Sequence, residues 1–325
     1  MSAYESEQYK EEFPWVDHLE PIQDPSEIKK LNAVLVEALL AGDLEEAHLA
    51  PPEPIEWDRI TGFRVPYMRP DDESLPDMDL RAYLDRIPEG REITVEMLRR
   101  HKIGAIGVDS EDVLYQWSVF NSLVFEVERS PRSILATGQW SRVEPKFVRS
   151  VRAGVGRIQK TKLRLPRAVR GEYERAYNGR VAKGRRDLAL MDCVMVRIPG
   201  ARGIEACDLF SDKSHFIHVK HRSASSNLSH LWFQGANAAE VFLGDEGFRK
   251  DLRARLTKHG AKFGDRIPEG PPNARKFEVV FAVIAPKEKP VPHGLPFFSQ
   301  LGLWDTARRL RLLSFRVSIL HIVLY

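Results

Sequence analysis

From Leu188 onward the chain carries three strand-like segments in succession, LALMDCVMVRI, GIEACDLF and HFIHVK, separated only by PGARG and SDKS. Helical patterns follow at about 228–242 and 247–256, then the strongly apolar FEVVFAVIA, a proline-rich loop, a helix near 303–312 and a last strand, FRVSILHIV. Strands, then helices, then strand, helix and strand again restrict the fold to a central mixed β-sheet flanked by helices, an α/β class with mixed α+β character.

Upstream the pattern is looser. A helix over 26–40 opens with a capping box from Ser26, and Pro51, Pro52 and Pro54 mark a linker. Short helices at 79–84 and 94–101 precede strands over 115–128 and 133–143 that turn at Ser130-Pro131-Arg132, and further helices are expected over 147–155 and 167–180. The expected organisation is an acidic lead over 1–58, a smaller N-terminal α+β domain over 59–165 and a main domain over 166–325.

An apolar content of 43% with 29% charged residues describes a globular chain rather than a disordered or fibrous one. No apolar run reaches the roughly 18 residues that a membrane helix needs, and no basic-then-apolar leader opens the sequence. Cys193 and Cys207 are the sole cysteines, too few for a disulfide framework or a four-cysteine zinc site. A cytoplasmic protein without a membrane partner is expected; homo-oligomerisation is left open.

The net charge of +3 conceals an asymmetry. Residues 1–90 are acidic, whereas from Arg142 to Arg186 fifteen Lys and Arg face only Glu144, Glu172 and Glu174. Such a run is a candidate phosphate-backbone surface. The blander reading, a solvated face or one that docks on the acidic N-terminal part, carries equal weight from composition alone.

The chemistry concentrates in GIEACDLF and HFIHVK. Paired as a hairpin with Phe210 opposite His215, they bring Glu205 opposite Lys220 and Cys207 opposite His218 on one face. A one-residue slip instead sets Asp208 beside His218 and Lys220. Either register brings a carboxylate to a lysine in an otherwise buried sheet. Carboxylates bind a hard cation such as Mg²⁺ or Mn²⁺, and a lysine can steady charge at an attacked phosphate. A lone cross-strand pair, worth about 0.2–1 kcal/mol, is the plain structural reading.

The wider pattern GIE…HVKHRS…LSHLWFQG resembles the core of Mrr-like members of the PD-(D/E)XK nuclease superfamily. There a Gly-Ile-Asp strand precedes one ending in Gln-x-Lys or Glu-x-Lys, then a basic loop and a helix. The resemblance implies a restriction-endonuclease-like core in the C-terminal half. By it, Glu205 stands for the first acid, Lys220 for the lysine, and His218 where an amide or acid is usual, so that Asp208 would supply the second carboxylate. Glu205, Asp208, Lys220 and His218 are therefore the catalytic candidates, with Glu205 and Asp208 as metal ligands. Glu174, in GEYERAYN, is a candidate for the glutamate that the superfamily often carries on a preceding helix, and Asp192 is a further acid. His221, Arg222, Ser223, Ser225 and Gln234 are candidate contacts to nucleic acid, with DNA favoured over RNA.

From about residue 60 onward the words ILATGQWSRVEPKFV, LPRAVRGEYERAYN, IEACDLFSDKSHFIHVKHRSASSNLSHLWFQG and LPFFSQLGLWDTARRLRLLSFRVSI resemble the sporadically distributed bacterial DUF6119 family of restriction-associated proteins. This implies a role near restriction or phage defence, with a defence-system protein as a partner. The expected function is a metal-dependent nuclease; the alternative is a non-catalytic nucleic-acid- or partner-binding module on a degenerate nuclease fold. Other signals are weaker. The histidines at 215, 218, 221 and 230 have no zinc-site spacing, Cys207 reads as a small core residue, and GAIGVD lacks the context of a phosphate-binding loop.

Overall fold

The computed structural model describes residues 17–53, 55–56, 59–108, 112–128, 132–198, 201–222 and 225–325. The expected turn at Ser130-Pro131 and the candidate Ser223 lie outside the described residues, as does the side chain of Ser225. The chain forms two compact units, one of residues 1–149 with 224–226 and one of residues 150–223 with 227–325. No helix among the described residues is long and apolar enough to cross a membrane.

In the first unit the chain runs through β1 (Leu19–Pro21), α1 (Pro25–Ala41), β2 (Ala47–Leu49), β3 (Ile60–Arg64), α2 (Leu80–Leu84) and α3 (Val95–Arg100). It continues through β4 (Lys102–Gly107), β5 (Val113–Ser118), α4 (Val119–Ser122), β6 (Leu123–Val127), β7 (Ser133–Ala136) and β8 (Gln139–Val143). Five strands form a sheet in the order β1-β8-β7-β6-β2, and β3-β4-β5 form a second. Leu35, Phe63, Tyr83, Leu98, Ile103, Phe125 and Trp140 are among the residues that close one apolar core around them. The cap of α1 is Asp24, not Ser26: Asp24 Oδ1 accepts the Ser26 N–H at 3.0 Å. Pro25 occupies the first helical turn, where its missing N–H is harmless, and the cap lies two residues upstream of the expected position.

In the second unit follow α5 (Pro145–Gly156), which begins in the first unit, β9 (Gln159–Lys160), α6 (Glu174–Gly184), β10 (Leu188–Leu190), β11 (Met195–Ile198), β12 (Ala201–Glu205), β13 (Leu209–Ser211) and β14 (His215–His221). Then come α7 (Ser225–Gly244), α8 (Glu246–Thr257), α9 (Ala261–Gly264), β15 (Glu278–Pro286), α10 (Phe297–Leu312) and β16 (Arg316–Leu324). Six strands make a sheet in the order β10-β13-β14-β15-β16-β9. The pairs β10/β13 and β13/β14 are antiparallel; β14/β15, β15/β16 and β16/β9 are parallel. This is the expected mixed sheet with helices.

The apolar run of β15 has a simple cause. Val279, Phe281 and Val283 belong to a core shared with Trp232 and Phe242 of α7, Leu252 of α8 and Leu303 of α10. Val280, Ala282 and Ile284 belong to another shared with Tyr177 and Val181 of α6. A strand buried on both faces has no polar alternate positions.

In the first unit the expected strand over 115–128 is interrupted by α4, and that over 133–143 is two strands parted by a turn at Thr137-Gly138. In the second unit three more expected elements differ. The segment 167–180 is helical only from Glu174, and residues 167–173 precede that helix as non-helical chain. LALMDCVMVRI is two strands, β10 and β11, parted by a turn in which Cys193 takes φ 59°. GIEACDLF is also two strands: β12 pairs with β11 as a separate two-stranded sheet, and the chain leaves it at Ala206-Cys207-Asp208 before β13.

The register of the β13/β14 hairpin is the slipped one, with Phe210 opposite Phe216 and Leu209 opposite Ile217. The cause is local. Ser214 adopts φ 65°, and Ser211 Oγ accepts the N–H groups of Lys213 and His215, which closes a three-residue loop ending in a left-handed residue. A four-residue connection would have put Phe210 and Phe216 on opposite faces of the sheet, and they could not share one core as they do.

Candidate functional site

Glu174 starts α6, and both of its carboxylate oxygens are engaged by the end of β14. Lys220 Nζ donates to Oε2 at 3.0 Å, and the His221 N–H donates to Oε1 at 2.9 Å. The two side chains are 31% and 34% exposed, so the pair is reachable from solvent. Glu174 thus ties the helix to the strand and fixes where the ammonium stands.

Asp208 lies at the bend before β13. Its Oδ2 accepts the Val219 N–H at 2.6 Å, and its own N–H donates to the Ile217 carbonyl at 3.0 Å, so the carboxylate is held against the lysine's strand. Burial pushes its pKa up to about 7, and the negative charges of Asp192, Glu205 and Glu174 push in the same direction. Glu205, half-buried at the end of β12, accepts the Cys193 N–H; its carboxyl is also raised, by burial first and then by Asp192, while Lys220 opposes the rise. Asp192 accepts hydrogen bonds from the Asn178 amide at 3.4 Å and from Cys193 Sγ at 3.4 Å.

One oxygen of Asp192, one of Glu205 and Cys193 Sγ all lie within 4.8 Å of one another. Asp192, Glu205 and Glu174 act on Asp208, Asp192 also acts on Glu205 against Lys220, and Arg175 acts on the Cys193 thiol. The mutual repulsion that raises Asp208 and Glu205 is the kind that a bound divalent cation would relieve. The oxygen donors suit Mg²⁺ or Mn²⁺. The thiol of Cys193 is raised by its hydrogen bond to Asp192, so it stays protonated and ligates poorly.

Glu205 acts on Asp208 and Lys220 acts on Glu205, although Glu205 pairs with Met195 and not with Lys220. Glu174 and Asp192 join them. His218 goes elsewhere. It is 4% exposed, 6.0 Å between ring centroids from Phe281, and beside Gly235 of α7. Burial lowers its pKa to about 4, so the ring is neutral. Cys207 is buried, and burial pushes its thiol well up, which leaves a small apolar core residue.

Among the candidate nucleic-acid contacts, His221 Nε2 pairs with the Glu172 carbonyl at 2.8 Å and Arg222 Nε donates to the Gly294 carbonyl at 2.9 Å. Gln234 is exposed on α7. A cavity of about 580 Å³ opens beside the Lys220–Glu174 pair, lined by Gly171, Glu172, Tyr173, Glu174, Arg175, His221 and Leu324. Cys193, Asn178 and Arg175 carry no motif. Their place at the site comes from the β11/β12 excursion, which nothing in the spacing announces.

Residues 1–323 match the profile of a family described as "Family of unknown function (DUF6119)". No curated protein and no solved structure matches the chain.

Proposed function

Starting from a chain that belongs to the DUF6119 family, whose description assigns no reaction, we propose that the second unit is a metal-dependent nuclease that hydrolyses phosphodiester bonds, in DNA before RNA. The single observation that carries this reading is the Lys220–Glu174 pair at 3.0 Å in a neighbourhood that also holds Asp208, Glu205 and Asp192. Carboxylates from one helix and two strand ends around a lysine agree with the Mrr-like resemblance, in which a helix glutamate completes a strand acid and a strand lysine.

Asp208 and Glu205, with Asp192, would hold the cation. A bound Mg²⁺ or Mn²⁺ would polarise the phosphate and lower the pKa of water in the site. Lys220 supplies a fixed positive charge where negative charge develops on the phosphoryl oxygens. Glu174 keeps that ammonium in place through Oε2 and anchors the strand end through Oε1. In the hydrolysis, a water oxygen bonds to phosphorus, the bond to the leaving sugar oxygen breaks, and the water's proton ends on that oxygen. The family resemblance further supports a place in cytoplasmic restriction or anti-phage defence, with a defence-system partner.

The buried His218 favours a second reading. It stands where the resemblance leads one to expect an acid or amide, and it points into the core, as on a nuclease fold that binds nucleic acid without cutting it. Incubating the protein with plasmid, single-stranded DNA and RNA, each with Mg²⁺ and with Mn²⁺, separates the two. Cleavage of any substrate that stops on chelation supports the nuclease. Salt-sensitive binding with no cleavage of all three supports the binding module instead.

A further inference from the structure

Residues 157–170 form an extended strap along the edge of the main sheet. Gln159 and Lys160 pair with Ser318 and Ile319 of β16, and farther on the Ala168 N–H donates to the Val323 carbonyl at 3.1 Å. Ile158, Leu163 and Ala168 turn inward and are buried. Arg157, Lys160, Lys162, Arg164, Arg167 and Arg170 are all exposed, and no acidic residue interrupts them. The strap ends at Gly171, φ 81°, where the chain turns into the cavity beside Lys220.

At that corner Tyr173 is 82% exposed. A single exposed aromatic is ordinary, but this one is held on both sides. Glu172 accepts from Arg180 at 2.6 and 2.7 Å and from the Val169 N–H at 3.1 Å, while Glu174 is held by Lys220 and the His221 N–H. The backbone under the ring is clamped, and the ring faces solvent at the mouth of the cavity. A preorganised aromatic at the end of a cationic row is the arrangement that binds an unpaired strand, phosphates on the row and a base on the ring. Bases inside a duplex have no free face, and a cavity of about 580 Å³ is of small-ligand size.

We propose that the strap and Tyr173 form a track for single-stranded DNA, which threads its phosphates along Arg157 to Arg170 and stacks one base on Tyr173 at the entrance to the Lys220 site. DNA is the strand assigned because the nuclease reading takes DNA before RNA, and RNA is one of the strands the test compares. The assignment rests on the nuclease reading for its purpose but is measured without catalysis.

The test is fluorescence anisotropy of the full chain in EDTA, with a labelled strand of about 16 nucleotides as single-stranded DNA, the same DNA as duplex, and the same sequence as RNA. Single-stranded DNA should bind tightest. Changing Lys160, Lys162 and Arg164 together to Gln should flatten the log–log salt dependence by about 2, at about 0.7 per phosphate lost. Tyr173→Ala should weaken binding about 5- to 150-fold with unchanged thermal unfolding, and Tyr173→Phe should bind like the parent, as base stacking requires. Tighter binding of duplex or of RNA, or equal binding by Tyr173→Ala and the parent, overturns the proposal. Single-strand binding with no cleavage under any metal would leave the track standing and the nuclease reading refuted; cleavage confined to duplex, with duplex bound tightest, would do the reverse.

Discussion

His218 shows how one side chain can carry a motif's position without its chemistry. It sits two residues before Lys220, yet its ring packs beside Phe281 and Gly235, and its Nε2 has no partner among the described residues. Its pKa falls from 6.5 in the open chain to about 4 in the fold, because burial disfavours the imidazolium. The unfolded chain therefore takes up the proton first. The resulting destabilisation is absent above about pH 6.5 and grows as pH falls toward 4, reaching of the order of 3 kcal/mol. His218→Leu should leave urea unfolding at pH 7.5 little changed and make the protein less sensitive to acid between pH 6.5 and 4.5. An unchanged acid slope in the variant would show that the ring is not held neutral. At this scale the sequence was legible for Lys220, Glu174 and Asp208, each in a short recognisable stretch. Glu205 was legible as an acid but not by its partner, since the pairing with Met195 depends on a strand break inside GIEACDLF.

Elements were most legible where burial leaves a strong pattern. The two-sided apolar β15 and the capped helices α2 and α3 follow from composition and from the caps Asp79 and Thr94. Divisions within elements were not, because Cys193 and Ser214 take left-handed φ values that their residue types do not announce. Close helix packing was equally hidden. Gly235, inside LSHLWFQG, lets α7 approach the sheet: a Cβ there would meet Phe281 at 2.6 Å. Gly235→Ala should therefore destabilise by about 1–3 kcal/mol through overpacking. In contrast Gly179→Ala, in α6 with nothing within 4 Å of the added Cβ, should stabilise by about 0.5–1 kcal/mol. Chemical denaturation midpoints of the two variants check this; a neutral Gly235→Ala would mean that α7 can stand off from β15.

At the scale of the whole molecule, the fold class followed from the order of strands and helices, and each compact unit closes its own apolar clusters. The charge asymmetry acquires a location in the second unit. The basic residues of 157–170 stand outward along one sheet edge, because the apolar residues between them are claimed by the core. That edge leads to the corner where Glu174 meets Lys220, so a composition bias and a motif that are separate in sequence become parts of one surface. The central claim is that this surface serves phosphodiester hydrolysis at Lys220. Single-turnover cleavage of labelled DNA with Mn²⁺, comparing the parent with Lys220→Ala at matched thermal stability, tests it most directly. A loss of at least about 10²-fold in the cleavage rate, with DNA binding retained in EDTA, is the predicted result. Equal cleavage by Lys220→Ala and the parent would contradict it.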